Sequence, residues 1–165
     1  DFPLFTKQSE EDFYHGSGSA RFAPSHHMFT SPHPDDIPLL DSDPLKVRGL
    51  QHDLVLNGYE VGGGSIRIHR ADVQTKVFDL IGFSEKQKAQ FAHMLTAFTY
   101  GVPPHGGIAP GVDRFLMAVL GEPSVREVMA YPTSSSGQTS VMDAPSQASP
   151  EQLKELGISI MPLGK

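Results

Sequence analysis

Apolar and polar residues alternate between positions 50 and 69, which is the pattern of β-strands. Within this stretch Asn57-Gly58 separates two short apolar runs, and an Asn-Gly pair in that setting is the strongest short-range signal for a two-residue hairpin turn. The turn fixes the predicted pairing: Leu56 with Tyr59, Val55 with Glu60, Leu54 with Val61, and Asp53 with Gly62. One face of the hairpin is then apolar, and the other carries Asp53 and Glu60 as diagonal neighbours.

The second strand continues through Gly62-Gly63-Gly64 and then alternates again. Consecutive glycines permit a bulge or the close approach of another molecule. We expect Ile66 and Ile68 to point into the core and Arg67 to point outward, toward a ligand. Because the glycines interrupt the alternation, the sequence leaves open whether Arg67 shares the face of Glu60.

Three later stretches carry apolar residues at helical spacing, and each is predicted to bury one stripe. The stripes are Val73, Val77, Leu80 and Ile81; Phe91, Met94, Leu95 and Phe98; and Val112, Phe115, Leu116, Val119 and Leu120. Ser84 and Gln87 form a capping box for the second helix, and Gly121 is placed to end the third. A last short helix is predicted to start at Ser149-Pro150 and to stop at Gly157.

The chain divides by composition into three segments. Residues 1–45 are a loop-rich entry, in which Gly16-Ser17-Gly18-Ser19 is typical of a mobile insertion and the proline-rich stretch 29–45 is typical of an extended surface connection. Residues 46–121 carry the predicted sheet and helices. Residues 122–165 form a C-terminal extension.

The composition narrows the functional classes. The chain has 165 residues, of which 38% are hydrophobic, enough for one domain or the larger part of one. Its net charge of −6 gives no general surface for a phosphate backbone, so any contact with nucleic acid is local or made by other regions. Cysteine is absent, which excludes disulfides and thiolate metal sites. No apolar run approaches the roughly 20 residues of a membrane span, so no membrane partner is expected.

Asp53 and Glu60 are the first candidates for chemistry. Two carboxylates on one sheet face can share a magnesium ion whose other ligands are water and phosphate oxygens, although the same pair also fits a solvated strand face. Arg67 has the planar fork that suits a substrate carboxylate, and its alternative is an ordinary surface arginine.

Arg114 lies in the first turn of the third predicted helix, directly after a glycine-rich stretch. The helix dipole disfavours a cation there unless an anion is bound nearby, and a phosphate would supply that anion. A tertiary ion pair would resolve the conflict equally well.

Four histidines raise the question of a metal site: His26, His27, His33 and His105. Their spacing matches no standard zinc pattern and no cysteine assists, so substrate contact or ordinary loop positions are better interpretations. No nucleophile with an adjacent base is recognisable, and covalent catalysis is not indicated.

Two blocks of sequence together resemble the class II aspartyl-tRNA synthetases of bacterial type. The blocks are Tyr59-Glu60-Val61-Gly62-Gly63-Gly64-Ser65-Ile66-Arg67-Ile68-His69 and Pro104-His105-Gly106-Gly107-Ile108-Ala109-Pro110-Gly111-Val112-Asp113-Arg114, in the order and separation typical of that family. Shorter matches are Asp1-Phe2-Pro3-Leu4-Phe5, His26-His27 before Phe29-Thr30, and Val125-Arg126-Glu127-Val128 through Ala144-Pro145-Ser146. The resemblance covers nearly the whole chain.

The resemblance implies an α+β fold, with an antiparallel sheet flanked by helices, that activates aspartate with ATP and transfers it to tRNA. The implied Mg²⁺ ligands are Asp53 and Glu60. The implied ATP-binding residues are Glu60, Arg114, Gly111 and Asp113. The implied aspartate-binding residues are Arg67, His26, His27 and Gly63. Arg67, Arg114 and Glu60 would be the catalytic residues, acting by positioning and charge stabilisation.

Three residues depart from the family pattern. Pro110 occupies the position of a bulky aromatic residue, Met28 that of a proline, and Thr133 that of a lysine. Pro110 changes the backbone just before the ATP arginine. The chain starts at Asp1, and motifs 1 and 2 and the anticodon-binding barrel of the family fall outside it. We therefore expect a fragment or processed product, inactive or nearly so alone, from a full-length homodimer that binds tRNA mostly through other regions.

Two alternatives have the same pocket. One is a non-catalytic, synthetase-like binding or regulatory module, and the retention of both metal carboxylates argues against it. The other is a tRNA-independent asparagine synthetase of the same superfamily. In a eukaryote the bacterial character of the motifs indicates the mitochondrial matrix; otherwise we expect the bacterial cytoplasm.

Overall fold

A computed structural model describes residues 2–7, 21–139, 141 and 144–161. The strands are β1 (Phe2–Pro3), β2 (Phe5–Lys7), β3 (Phe22–Pro24), β4 (Arg48–Gly49), β5 (Gln51–Leu56), β6 (Tyr59–Ile66) and β7 (Gly106–Pro110). The α-helices are α1 (Leu39–Ser42), α2 (Ala71–Leu80), α3 (Glu85–Gln90), α4 (Ala92–Thr99), α5 (Val112–Leu120) and α6 (Pro150–Glu155). All strand pairs within these residues are antiparallel, which confirms the predicted α+β class.

The main sheet has the strand order β5-β6-β7, and the predicted hairpin joins its first two strands. Asn57 and Gly58 have φ values of 51° and 84°, as the predicted two-residue turn requires. Leu56 pairs with Tyr59 and Val55 pairs with Glu60, as predicted. The turn is also tied to α5, because the side-chain amide of Asn57 donates to the carbonyl oxygen of Ala118 over 3.3 Å.

A β-bulge makes the rest of the predicted hairpin register wrong. Leu54 pairs with Gly62 rather than Val61, and Asp53 pairs with Gly63 rather than Gly62. The cause is one extra residue in β6, at Val61, that has no partner in β5. The predicted apolar face is also wrong: Val61 is buried, but Leu54 is 49% exposed because the described residues place no layer over it.

The core lies between the N-terminal segment, the end of the main sheet and α2. Of the stripe predicted for α2, Val73, Val77 and the C-cap residue Ile81 are buried, and Leu80 is partly buried. Helix α4 packs against the same core with partly buried side chains. A group of phenylalanine rings fills the space between these elements, with neighbouring centroids 5.1–6.4 Å apart: Phe29, Phe78, Phe83 and Phe91. The predicted capping box of Ser84 and Gln87 is present at the start of α3, and α6 begins with a second capping box, made by Ser149 and Gln152.

The predicted burial of the α5 stripe is wrong. Gly121 ends the helix in the left-handed conformation, as expected, yet Met117 and Ala118 are its buried residues. All five stripe positions are exposed, from 40% to 70%: Val112, Phe115, Leu116, Val119 and Leu120. Ile66 was likewise expected in the core and is 42% exposed, whereas Ile68 is buried as predicted. Helical spacing marks a face that can pack, but nothing in the described part of the chain covers this one.

The stretch 29–45 is more than the surface connection that its prolines indicated. It contains two short helical segments, Pro34–Asp36 and α1, and it buries Thr30 and Leu40. Asp36 accepts hydrogen bonds from the Arg48 side chain, at 2.7 and 2.9 Å, and from its backbone N–H. These bonds hold the pKa of the Asp36 carboxyl well below its usual range. The stretch is therefore fixed to β4 by a buried carboxylate.

Two sequence predictions remain untested. The Gly/Ser insertion at 16–19 lies outside the described residues, and the division at 45 and 121 stays a prediction. Within the described ranges, no helix is long and apolar enough to cross a membrane.

Candidate functional site

Three polar side chains converge on Gly63 in the middle of β6. A Cβ at Gly63 would lie 3.2 Å from Glu60 Oε1, 3.7 Å from Asp53 Oδ1 and 4.0 Å from His26 Nε2. The missing side chain therefore leaves a small cradle walled by two carboxylates and an imidazole. Both carboxylates share a sheet face, as predicted from the sequence, although Asp53 reaches it opposite a different glycine.

The bulge decides which residues share that face. Side chains alternate along a strand, so one extra residue reverses the alternation beyond it. Glu60 precedes the bulge, and after the bulge Gly63, Ser65 and Arg67 lie on its side of the sheet. The contact of His27 with both Ser65 and Arg67 agrees with this parity. The question that the triple glycine left open is thus answered: Arg67 and Glu60 lie on the same face.

Arg67 contacts the histidine pair directly. Its Nη1 lies within hydrogen-bonding distance of the His27 ring nitrogens. Ser65 Oγ lies 3.3 Å from His27 Nε2, and the Thr30 hydroxyl lies 3.4 Å from Nδ1 of the same ring. The His26 and His27 rings stand 4.6 Å apart between centroids. The half-buried imidazole of His27 therefore links Arg67 to the Gly63 cradle.

His27 is neutral near pH 7. Its burial, then the positive charge of Arg67, then the neighbouring His26, lower the pKa of His27 from 6.5 to about 4. A neutral imidazole has one acceptor nitrogen, and Nδ1, which accepts from the Phe29 backbone N–H over 3.2 Å, also lies 3.0 Å from Arg67 Nη1. Arg67 is consequently oriented without being neutralised, and its charge remains available for an anionic ligand.

Arg114 lies at the other end of the cradle. Its Nη1 donates to the carbonyl oxygen of Glu60 over 3.1 Å and stands 3.7 Å from Glu60 Oε2. The tertiary ion pair that the sequence left open is therefore present, but both side chains are about half exposed and the pair is loose. Gly111 caps α5 without a side chain, so the exposed first turn, including Asp113, faces solvent near Arg114.

The other two histidines have different surroundings. His33 accepts from the backbone N–H of Asp35 and contacts Arg48, away from the cradle. The carbonyl oxygen of His105 accepts from the Arg67 backbone N–H over 2.9 Å, and its ring is exposed. In the described part of the chain, no group of three or more His, Cys, Asp or Glu side chains is arranged to hold a metal ion.

A cavity of about 460 Å³ opens beside Arg67. Its lining is mainly apolar, and its polar members include Arg67, His105 and Gln74. The sequence did not single out Gln74, Ser65 or Thr30. Gln74 had a detectable signal, because it is a polar residue next to Val73 on the buried side of α2, whereas Thr30 stands in a loop with no periodicity.

Residues 1–135 match the family described as tRNA synthetases class II (D, K and N). An aspartate–tRNA(Asp/Asn) ligase of Rubrobacter xylanophilus is 53% identical over 161 residues, covering 97% of this chain and 26% of that protein. An aspartate–tRNA ligase of Lysinibacillus sphaericus is 49% identical over 166 residues, covering 100% of this chain and 27% of that protein. The chain spans about a quarter of the length of these curated relatives.

Solved structures agree on the fold. The aspartyl tRNA synthetase from Entamoeba histolytica matches with a TM-score of 0.53 and 27% identity, covering 66% of this chain and 20% of that one. The asparaginyl-tRNA synthetase from Pyrococcus horikoshii matches with a TM-score of 0.51 and 28% identity, covering 66% and 23%. The class II fold inferred from sequence resemblance is thereby confirmed.

Proposed function

This chain belongs to the class II tRNA synthetases (D, K and N), and on that premise we propose that it supplies part of the catalytic centre of an aspartate–tRNA ligase. The observation that carries the proposal is the single sheet face on which Arg67, His27 and the Gly63 cradle meet the carboxylates of Asp53 and Glu60. This face offers the Arg67 guanidinium for a carboxylate of the amino acid. It also offers the carboxylates of Asp53 and Glu60 for a metal–nucleotide complex. The relatives that support the ligase assignment are about half identical over the whole chain.

The aspartate end of the site centres on Arg67. A guanidinium binds a carboxylate through two parallel N–H donors, and the His27 ring leaves most of the Arg67 donors free for that role. His26 and Gly63 would border the same ligand, since both line the cradle. Burial keeps His27 neutral, so it would orient Arg67 without competing for the substrate carboxylate.

The nucleotide end centres on Glu60. Asp53 and Glu60 would hold Mg²⁺, because a hard cation takes carboxylate oxygens and keeps several sites for water and phosphate. Oxygens of both carboxylates lie within 4 Å of one point above Gly63, so a single ion on this face could contact the two residues. When bound, Mg²⁺ would neutralise charge on the ATP phosphates. Arg114 would turn from its loose pair with Glu60 toward a phosphate at the first turn of α5, beside Gly111 and Asp113.

The proposed reaction forms a bond between an aspartate carboxylate oxygen and the α-phosphorus of ATP, and breaks the bond from that phosphorus to pyrophosphate. The residues named above act by orientation and by stabilising negative charge, so no protein nucleophile is required. Transfer to tRNA and homodimer assembly would belong to the longer ligase. The two ligases that are about half identical to this chain come from Rubrobacter xylanophilus and Lysinibacillus sphaericus, which are bacteria. We therefore propose a bacterial-type enzyme, cytoplasmic in a bacterium or mitochondrial in a eukaryote.

Calorimetric titration of the chain with a non-hydrolysable aspartyl-adenylate analogue and Mg²⁺ tests the proposal. Arg67→Ala should weaken binding by about 2 kcal/mol or more, roughly thirty-fold, because it removes one partner of a charge pair. Arg126→Ala, at an exposed arginine of the turn Val125–Val128, is the matched control and should bind like the parent. Equal binding by both variants would overturn the role of Arg67, and no detectable binding by the parent would mean that this part of the centre forms no binding site by itself. The asparaginyl analogue should bind more weakly than the aspartyl one.

A further inference from the structure

Gln74 is a fully buried amide next to the site, and the proposed reaction assigns it no role. It is 0% exposed on α2, between the core residues Val73 and Val77. Its Nε2 donates to the carbonyl oxygen of Met28 over 2.9 Å. Because that oxygen can only accept, the facing group must be the amide NH₂, which fixes the orientation of the side chain.

The bond falls on the peptide between Met28 and Phe29, one residue after His27. Further along the same segment, residues 29–31 run beside the end of β6 and are tied to it by backbone bonds: the Ile68 N–H to the Phe29 carbonyl at 2.9 Å, and the Ser31 N–H to the Ile66 carbonyl at 2.8 Å. Gln74 bonds the carbonyl of Met28, the residue just before this stretch. The residues that follow the histidine pair are thus bonded to both β6 and α2, and the imidazole of the adjacent His27 lies against Arg67.

The bond to Met28 is the one hydrogen bond that the Gln74 side chain makes among the described residues. Its Oε1 is buried and has no hydrogen-bond partner among the described residues. A buried carbonyl oxygen without a partner is unfavourable, and an apolar side chain of similar shape would remove it. Within the described residues, Gln74 therefore acts on its surroundings through the donor that faces Met28.

We propose that Gln74 is a positioning residue, which holds the Met28 peptide so that His27 stays buried against Arg67 in the orientation needed for the substrate carboxylate. The role of Gln74 toward a substrate carboxylate rests on the proposed aspartate site. The contact of Gln74 with Met28, and its effect on His27, involve only described residues of this chain. Loss of the Gln74 donor would release the Met28 peptide, expose the His27 ring to water and loosen Arg67.

The test is Gln74→Met in the intact chain, because methionine keeps an unbranched apolar shape without a donor. The imidazole signal of His27, followed by NMR through a pH titration, is expected to move from a pKa of about 4 toward the ordinary value near 6.5. Val77→Ala is the matched control, one turn further along α2 and equally buried, and it should loosen the core without moving that pKa. Affinity for the aspartyl-adenylate analogue should fall roughly tenfold in Gln74→Met alone.

An unchanged His27 titration in Gln74→Met, or an equal change in Val77→Ala, would overturn the proposal. In the parent chain the side-chain amide protons of Gln74 should exchange slowly with solvent, and rapid exchange would overturn it even where the methionine variant fails to fold. The imidazole measurement needs no ligand, so failure of the parent to bind the analogue would count against the proposed function alone. Gln74 would still be judged by the titration.

Discussion

Replacing Gly64 with alanine tests the close approach of β7 to β6. Strand β7 leads directly into α5, the helix that bears Arg114. A Cβ on Gly64 would lie 2.1 Å from the carbonyl oxygen of Gly107 and 2.9 Å from Ile108 Cα. Both atoms belong to the backbone of β7, so the strand must move by more than an ångström to reach ordinary contact. Overpacking of this kind costs about 1–3 kcal/mol, and we expect the upper end because no flexible side chain can yield.

Gly107 is the matched control for this substitution. It lies in the same ladder, paired with Ser65, and a Cβ there meets nothing within 4 Å. Gly107→Ala should leave the free energy of unfolding unchanged or raise it by up to about 1 kcal/mol, because alanine restricts the unfolded chain. Urea unfolding measures both variants, and hydrogen exchange at 106–110 reports whether β7 detaches. A Gly64→Ala variant as stable as the parent, or equal losses in both variants, would refute the reasoning.

Two further predictions concern His27 and helix α5. Because burial lowers the pKa of His27 to about 4, the unfolded chain binds one more proton than the folded chain between pH 6.5 and 4. The free energy of unfolding should therefore decrease as the pH falls through that window, and His27→Gln should flatten the decrease; an identical slope in the variant would contradict a neutral buried imidazole. On α5, Met117→Ala should cost about 2–5 kcal/mol in urea unfolding, whereas Leu120→Ala should change stability by less than about 0.5 kcal/mol. Met117 is 5% exposed and Leu120 is 64% exposed. Similar losses of stability in the two variants would mean that the exposed stripe of α5 is packed in solution.

Features with local causes could be predicted from the sequence. The Asn57-Gly58 turn depends on two residues that adopt positive φ, and the capping box of α3 depends on Ser84 and Gln87 within one helical turn. The burial of α5 could not be predicted in this way. An apolar stripe indicates a face able to pack, but the covering surface is a tertiary matter, and the described residues supply none for Leu120 and its neighbours.

The residues of the candidate site could also be chosen from the sequence, but their arrangement could not. Strict alternation from Glu60 would have left Arg67 on the opposite face of the sheet, and the two ends of the proposed reaction would then have been separated. The triple glycine signalled that an irregularity was possible without saying where the extra residue would fall. Several positions from 61 to 64 would have satisfied the local sequence equally well.

Contacts with β7 account for the observed position of the extra residue. At Gly64 and Gly62 the backbone of β7 comes so close that a Cβ would meet it at 2.1 Å and 3.3 Å, which favours one register between β6 and β7. The hairpin turn independently fixes the first pairs between β5 and β6. The two constraints differ by one residue, and the bulge at Val61 absorbs the difference. The shared face of Glu60 and Arg67 therefore depends on glycines whose closest neighbours are another strand rather than a substrate.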